Sequence, residues 1–98
     1  MLYHLVMPDY WQVFENQDYY TPPTFEQEGF IHLSEKHQVE GVLSRYYPDV
    51  GTILLLCLDK TALGNALVYE ASTHGELFPH LYGKLSKSAI LSIETLNP

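Results

Sequence analysis

Val50-Gly51-Thr52-Ile53-Leu54-Leu55-Leu56-Cys57-Leu58 decides the fold, because from Ile53 onward it offers no charged or hydrogen-bonding side chain to water. A strand with one wet face alternates between apolar and polar residues, so an unbroken apolar run predicts a central strand covered on both sides. Covering two faces takes helices as well as neighbouring strands, which makes the chain an α+β domain.

The flanks supply those neighbours. On the N-terminal side, Phe30 to Leu33 reads as a short strand. Ser34 and Glu35 then open a helix whose Val39, Val42, Leu43 and Tyr46 form one stripe, and Pro48 stops it. Beyond the apolar run, Asp59 to Gly64 reads as a turn and Leu67 to Thr73 as a strand. His74-Gly75 makes another turn, Phe78 to Gly83 has neither a helical nor a strand period, and Ala89 to Leu96 is a final strand. At the start of the chain, Leu2 to Met7 alternates, with Leu2, His4 and Val6 on one face and Tyr3 and Leu5 on the other. Asp9 to Gln17 places Tyr10, Val13 and Phe14 around Trp11 at helical spacing. Asp18 to Glu28 contains Thr21-Pro22-Pro23, which cannot supply ladder donors, and reads as a loop bordering a cleft.

A chain of 98 residues holds one core, so residues 1–98 form a single domain. Five Lys and Arg stand against twelve Asp and Glu, giving a net charge of −7. The five cations, Lys36, Arg45, Lys60, Lys84 and Lys87, are scattered. Nucleic-acid affinity rests on clustered cations that neutralise phosphates, so an extended nucleic acid is not an expected partner. No export signal or membrane-length apolar run appears, which points to the cytoplasm and away from a membrane. Cys57 stands alone in the apolar run, as a buried and inert thiol. Eight tyrosines do not by themselves fix an oligomeric state.

The candidate site is built on imidazoles. His4 lies on the first strand, His32 on the short strand before a helix start, and His80 in the irregular Phe78-Pro79-His80-Leu81-Tyr82-Gly83 segment. A single histidine of this kind is commonly a core residue bonded to a backbone carbonyl. Three of them in three apolar segments cost less to desolvate if they share one polar cavity, which predicts a common cleft. Glu70, flanked by Tyr69 and Ala71, is either paired or working, or an edge-strand carboxylate that blocks aberrant pairing. His37 and His74 are expected to face solvent without a role. A zinc site on His4, His32 and His80 with an open fourth position is an alternative, but no H-x-H or H-E-x-x-H pair supports it and no metal is assigned.

YHL at residues 3–5, EGFIHLS at 28–34, Tyr69-Glu70 and FPHLYG at 78–83 resemble the bacterial family known as domain of unknown function 952, across essentially the whole chain. That resemblance implies an ADP-ribosyltransferase-like fold: a small mixed sheet, strongly bent or split, with two or three short helices. It further implies an NAD cleft in which His4 matches the first site position, His32, preceded by Gly29, the second, and Glu70 or His80 the third. Glu70 and His80 are then the catalytic candidates, and His4, His32, Ser34 and Tyr82 the cofactor-binding ones. On this reading His4 hydrogen-bonds a ribose hydroxyl, His32 stacks on nicotinamide, and Glu70 faces the positive charge that develops at the anomeric carbon. Glu35 in the first turn after Ser34 argues against diphosphate at that helix end. The expected function is therefore binding of NAD or an ADP-ribose-like nucleotide with transferase-type cleavage. The alternatives are a non-catalytic small-ligand module and a metal-dependent enzyme on the three imidazoles. An RNA 2′-phosphotransferase is disfavoured by the acidic balance and the single Arg45.

Overall fold

The apolar run becomes β4 (Ile53–Leu58), the middle strand of an antiparallel sheet whose outer members are β1 (Leu2–Val6) and β8 (Ile90–Leu96). The computed structural model describes residues 1–98. Both faces of β4 are covered, as its composition requires. On one face Leu56 and Leu58 join Leu2 and Val6 in the main core with Tyr20, Ile31, Leu33, Leu63, Leu81, Leu85 and Ala89. On the other, Leu55 and Cys57 pack with Leu5 under α3 (Val39–Tyr46) through Val39, Val42 and Leu43. Tyr47 completes that contact, while Tyr46 is turned out to solvent, which corrects the expected stripe by one residue. The chain enters α3 through a 3₁₀ turn at Lys36–Gln38 that is capped by Glu35, not by Ser34. Gln38 accepts from the Glu35 N–H at 2.9 Å and donates to Glu76 and the Leu77 carbonyl, so this buried amide is satisfied on both ends.

A second antiparallel sheet has the order β3 (Ile31–His32), β6 (Leu77–Leu81), β5 (Leu67–Ala71). Every strand pairing is antiparallel, so the sheet is split as expected but contains none of the parallel strands of a mixed one. β6 is the largest departure from expectation, because the segment expected to be irregular is the central strand. Pro79 sits within this strand although it cannot donate a ladder bond. Here its carbonyl accepts from the Leu33 N–H at 3.0 Å, so its nitrogen faces the end of β3, where the ladder stops. Ile31, Pro79 and Leu81 point into the core. His32, Phe78, His80, Val68 and Glu70 therefore share the outer face by the two-residue repeat.

The Asp18 to Glu28 segment is also more ordered than a loop. β2 (Tyr19–Tyr20) pairs with β7 (Leu85–Ser86), and α2 (Phe25–Glu28) docks Phe25 on the main core. Partners distant in sequence hold both pieces, which local pattern does not reveal. Gly29 ends α2 with φ of 78°, and its N–H reaches the Phe25 carbonyl at 2.7 Å, turning the chain directly into β3. The first helix is shorter than expected, α1 (Pro8–Gln12), and Val13 is exposed rather than packed, while Tyr10, Trp11 and Phe14 do reach the core. Asp59 caps a fourth short helix, α4 (Lys60–Leu63), where a simple turn was expected.

Candidate functional site

The two sheets are stitched together where β1 passes the end of β3. Tyr3 and Ser34 exchange backbone hydrogen bonds at 2.9 and 2.8 Å, which sets His4 beside His32. His4 is buried and has both ring nitrogens engaged. Nδ1 lies 2.7 Å from the His32 carbonyl and Nε2 lies 2.8 Å from the Tyr20 hydroxyl. A carbonyl only accepts, so Nδ1 carries the proton, Nε2 is the acceptor and Tyr20 donates. Burial lowers the His4 pKa to about 4, against the opposing effect of its hydrogen bond to the His32 carbonyl, and keeps the ring neutral. Burial likewise pushes the Tyr20 phenol far up. The imidazole expected to bind a ribose hydroxyl is thus committed to holding the seam, and it is His4, not His32, that makes the backbone-carbonyl bond of a structural histidine.

Next to this seam lies a recess of about 220 Å³, lined by His4, Tyr20, His32, Tyr47, Pro22 and Pro23 among others. Of the loop expected to border a cleft, Pro22, Pro23 and Thr24 border this recess. His32 lines the recess and also lies on the outer face of the β3–β6–β5 sheet.

That outer face carries the remaining candidates. The His32 and His80 rings, on directly paired residues, have centroids 5.0 Å apart and stand edge to face. Phe30 stacks on His80 at 4.2 Å with an 18° tilt and touches both His32 and Tyr82. Each imidazole has its own carboxylate. His32 donates from Nε2 to Glu28 at 3.0 Å, one helical turn away in sequence, and His80 donates from Nδ1 to Glu70 at 2.7 Å. The Tyr82 hydroxyl donates to the same Glu70 oxygen at 2.6 Å, which leaves Oε2 without a protein partner. The Tyr82 bond first and the His80 bond second hold the Glu70 carboxyl below its ordinary range. At Glu28 burial acts upward, but bonds from Thr24 and His32 and the nearby imidazoles outweigh it and lower the carboxyl.

Of the two readings of Glu70, the paired one holds, although β5 is also an edge strand. The three imidazoles are contiguous without sharing one cavity: His4 and His32 line the recess, whereas His80 lies beyond His32 on the sheet face. Both ring nitrogens of His4 are engaged, and no group of three or more His, Cys, Asp or Glu side chains is placed to hold a metal ion. Ser34 is buried at the inter-sheet bridge and lines neither region. His37 and His74 are exposed, as expected, and burial raises the pKa of the buried Cys57. Sequence reasoning missed Tyr20, Glu28 and Phe30. The four-residue spacing of Glu28 and His32 and the shared parity of Phe30 with His32 were the available signals.

The model of the family described as "Protein of unknown function (DUF952)" covers residues 5–93. The chain belongs to that family. The crystal structure of protein CC0527 from Caulobacter crescentus superposes with a TM-score of 0.90 at 28% identity, over 98% of this chain and 85% of that one. The solution NMR structure of CC0527 gives 0.85 at 28% identity, over 98% and 84%. Among curated proteins none matches the chain. The fold is therefore shared with CC0527, and none of these descriptions carries a function. No helix is long and apolar enough to cross a membrane.

Proposed function

We propose that this domain binds a nucleotide of the NAD or ADP-ribose class at the junction marked by His32, and that it cleaves the bond between nicotinamide and ribose in the manner of an ADP-ribosyltransferase. The observation that carries the reading is the continuous run His4, His32, His80, Glu70, drawn from four strands of two sheets that meet at one seam. Two antiparallel sheets meeting at a histidine-bearing seam also support the finer assignment to the ADP-ribosyltransferase-like folds.

Size favours this ligand class, and charge favours its nicotinamide end. Pockets for whole drug-sized ligands run from about 300 to 1,000 Å³, so a recess of about 220 Å³ takes one ring and leaves the rest of a dinucleotide to lie across the outer face. Phe30, His80 and Tyr82 supply aromatic planes there. Glu28 and Glu70 give the face a negative rim, which suits the cationic nicotinamide end and the positive ribose of the transition state better than a diphosphate. The free Oε2 of Glu70 is the carboxylate oxygen available to that charge.

NAD or ADP-ribose at ten times its dissociation constant should add about 1.4 kcal/mol of stability, a rise of several degrees in Tm for a domain of this size. Absence of any shift with millimolar adenine nucleotides would sink the reading. A binding module without catalysis is the second reading, favoured by the single-ring size of the recess. Nicotinamide release from NAD by the wild-type protein separates the two.

A further inference from the structure

We infer that His80 Nε2 is the proton acceptor of the site, with Glu70 and Tyr82 as the residues that position it, so that the group attacking the ribose is an O–H nucleophile, water or a hydroxyl. The substrate in this inference rests on the reading above; the assignment of the base rests on geometry alone.

The bonding leaves His80 one role. Glu70 is ionised and can only accept, so the 2.7 Å bond fixes the proton of a neutral His80 on Nδ1 and leaves Nε2 as a bare acceptor. Nε2 has no protein partner, and no side-chain nitrogen or oxygen is both buried and unpaired, so this nitrogen reaches solvent. Stacking on Phe30 fixes the ring plane, and the Tyr82 bond fixes the carboxylate that fixes the ring. His4 has both nitrogens engaged, and His32 donates toward Glu28 from the nitrogen that lies away from the backbone. Among the three imidazoles of the site, His80 alone combines a carboxylate partner on Nδ1 with an open Nε2, the arrangement that serves general-base catalysis.

The step balances without any further reagent. As the water oxygen bonds to the anomeric carbon of NAD, the bond from that carbon to the nicotinamide nitrogen breaks and its electron pair leaves on neutral nicotinamide. The water proton passes to His80 Nε2, the imidazolium is held over Glu70, and the proton then goes to solvent. With a hydroxyl in place of water the product is an O-linked ADP-ribosyl group.

The ¹⁵N spectrum of the histidine rings in the ligand-free wild-type protein tests the assignment directly. His80 should show the Nδ1–H tautomer, and Glu70→Ala should shift it toward Nε2–H, which reports directly whether Glu70 sets the ring's proton. Nicotinamide release from NAD, measured alongside, should fall on the order of a hundredfold or more in His80→Gln and on the order of tenfold in Glu70→Ala. A wild-type Nε2–H tautomer, or a tautomer indifferent to Glu70→Ala, overturns the inference even if release is observed. The expected tautomer with no release overturns the NAD reading and leaves His80 standing as the base.

Discussion

The two main sheets treat the same side chain in opposite ways. In the sheet of β1, β4 and β8 both faces of the central strand are covered, and its imidazole, His4, is buried, neutral and bonded at both nitrogens. In the sheet of β3, β6 and β5 one face is covered, and on the other His32 and His80 each keep a carboxylate partner and contact with water. Burial converts an imidazole into a structural tie, whereas a one-sided sheet leaves it open to solvent on one side. The first sheet supplies the rigidity, and the second carries the side chains on which the proposed chemistry rests.

The comparison is broken most severely in the first sheet. Leu56 is fully buried at the centre of β4, so Leu56→Ala should cost about 4 kcal/mol of unfolding free energy, measured by urea denaturation. Val68→Ala, on the outer face of the second sheet, should cost less than about 1 kcal/mol. Equal costs would mean that the outer face is packed rather than open.

Acid should act next most strongly, through His4. Its pKa is about 4 in the folded chain and near 6.5 when unfolded, so between these values the unfolded state binds the additional proton. Stability is therefore fully present above about pH 6.5 and falls by roughly 3 kcal/mol as pH drops through the folded value. Glu28 and Glu70, whose pKa values are also lowered, act in the same direction but below the usual carboxylate range. His4→Asn removes the titrating ring, and its stability should be flat with pH between about 6.5 and 5. A slope that survives in His4→Asn would assign the effect to other groups.

A smaller loss is expected from Tyr20→Phe, which keeps the ring in the core but leaves His4 Nε2 without a donor. The cost should be about 1 to 3 kcal/mol, the usual penalty for a buried unpaired acceptor. Smallest of all, His32→Ala should change stability by no more than about 0.5 kcal/mol, because the side chain is 54% exposed, while abolishing the thermal shift produced by NAD or ADP-ribose. A large loss of stability with intact ligand binding would make His32 structural and would place the ligand elsewhere.

The amino-acid sequence by itself determined β4 and its double covering, since an unbroken apolar run has no wet face to offer. It also determined which residues share a face of the strands it revealed, because the two-residue repeat puts His4 with Leu2 and Val6, and Glu70 with Val68. It pointed to the histidine segments and to Glu70 as residues that need partners. Only the tertiary structure decided which face meets water and which partner each group finds. His4 and His32 look alike in sequence, each a histidine between apolar neighbours on a short strand. They differ because β1 belongs to a doubly covered sheet and β3 to a singly covered one, and coverage is set by contacts between residues far apart in the chain. The same reason hid β6, whose proline is tolerated only because β3 ends beside it, and Tyr20, whose hydroxyl meets His4 only after β2 has paired with β7.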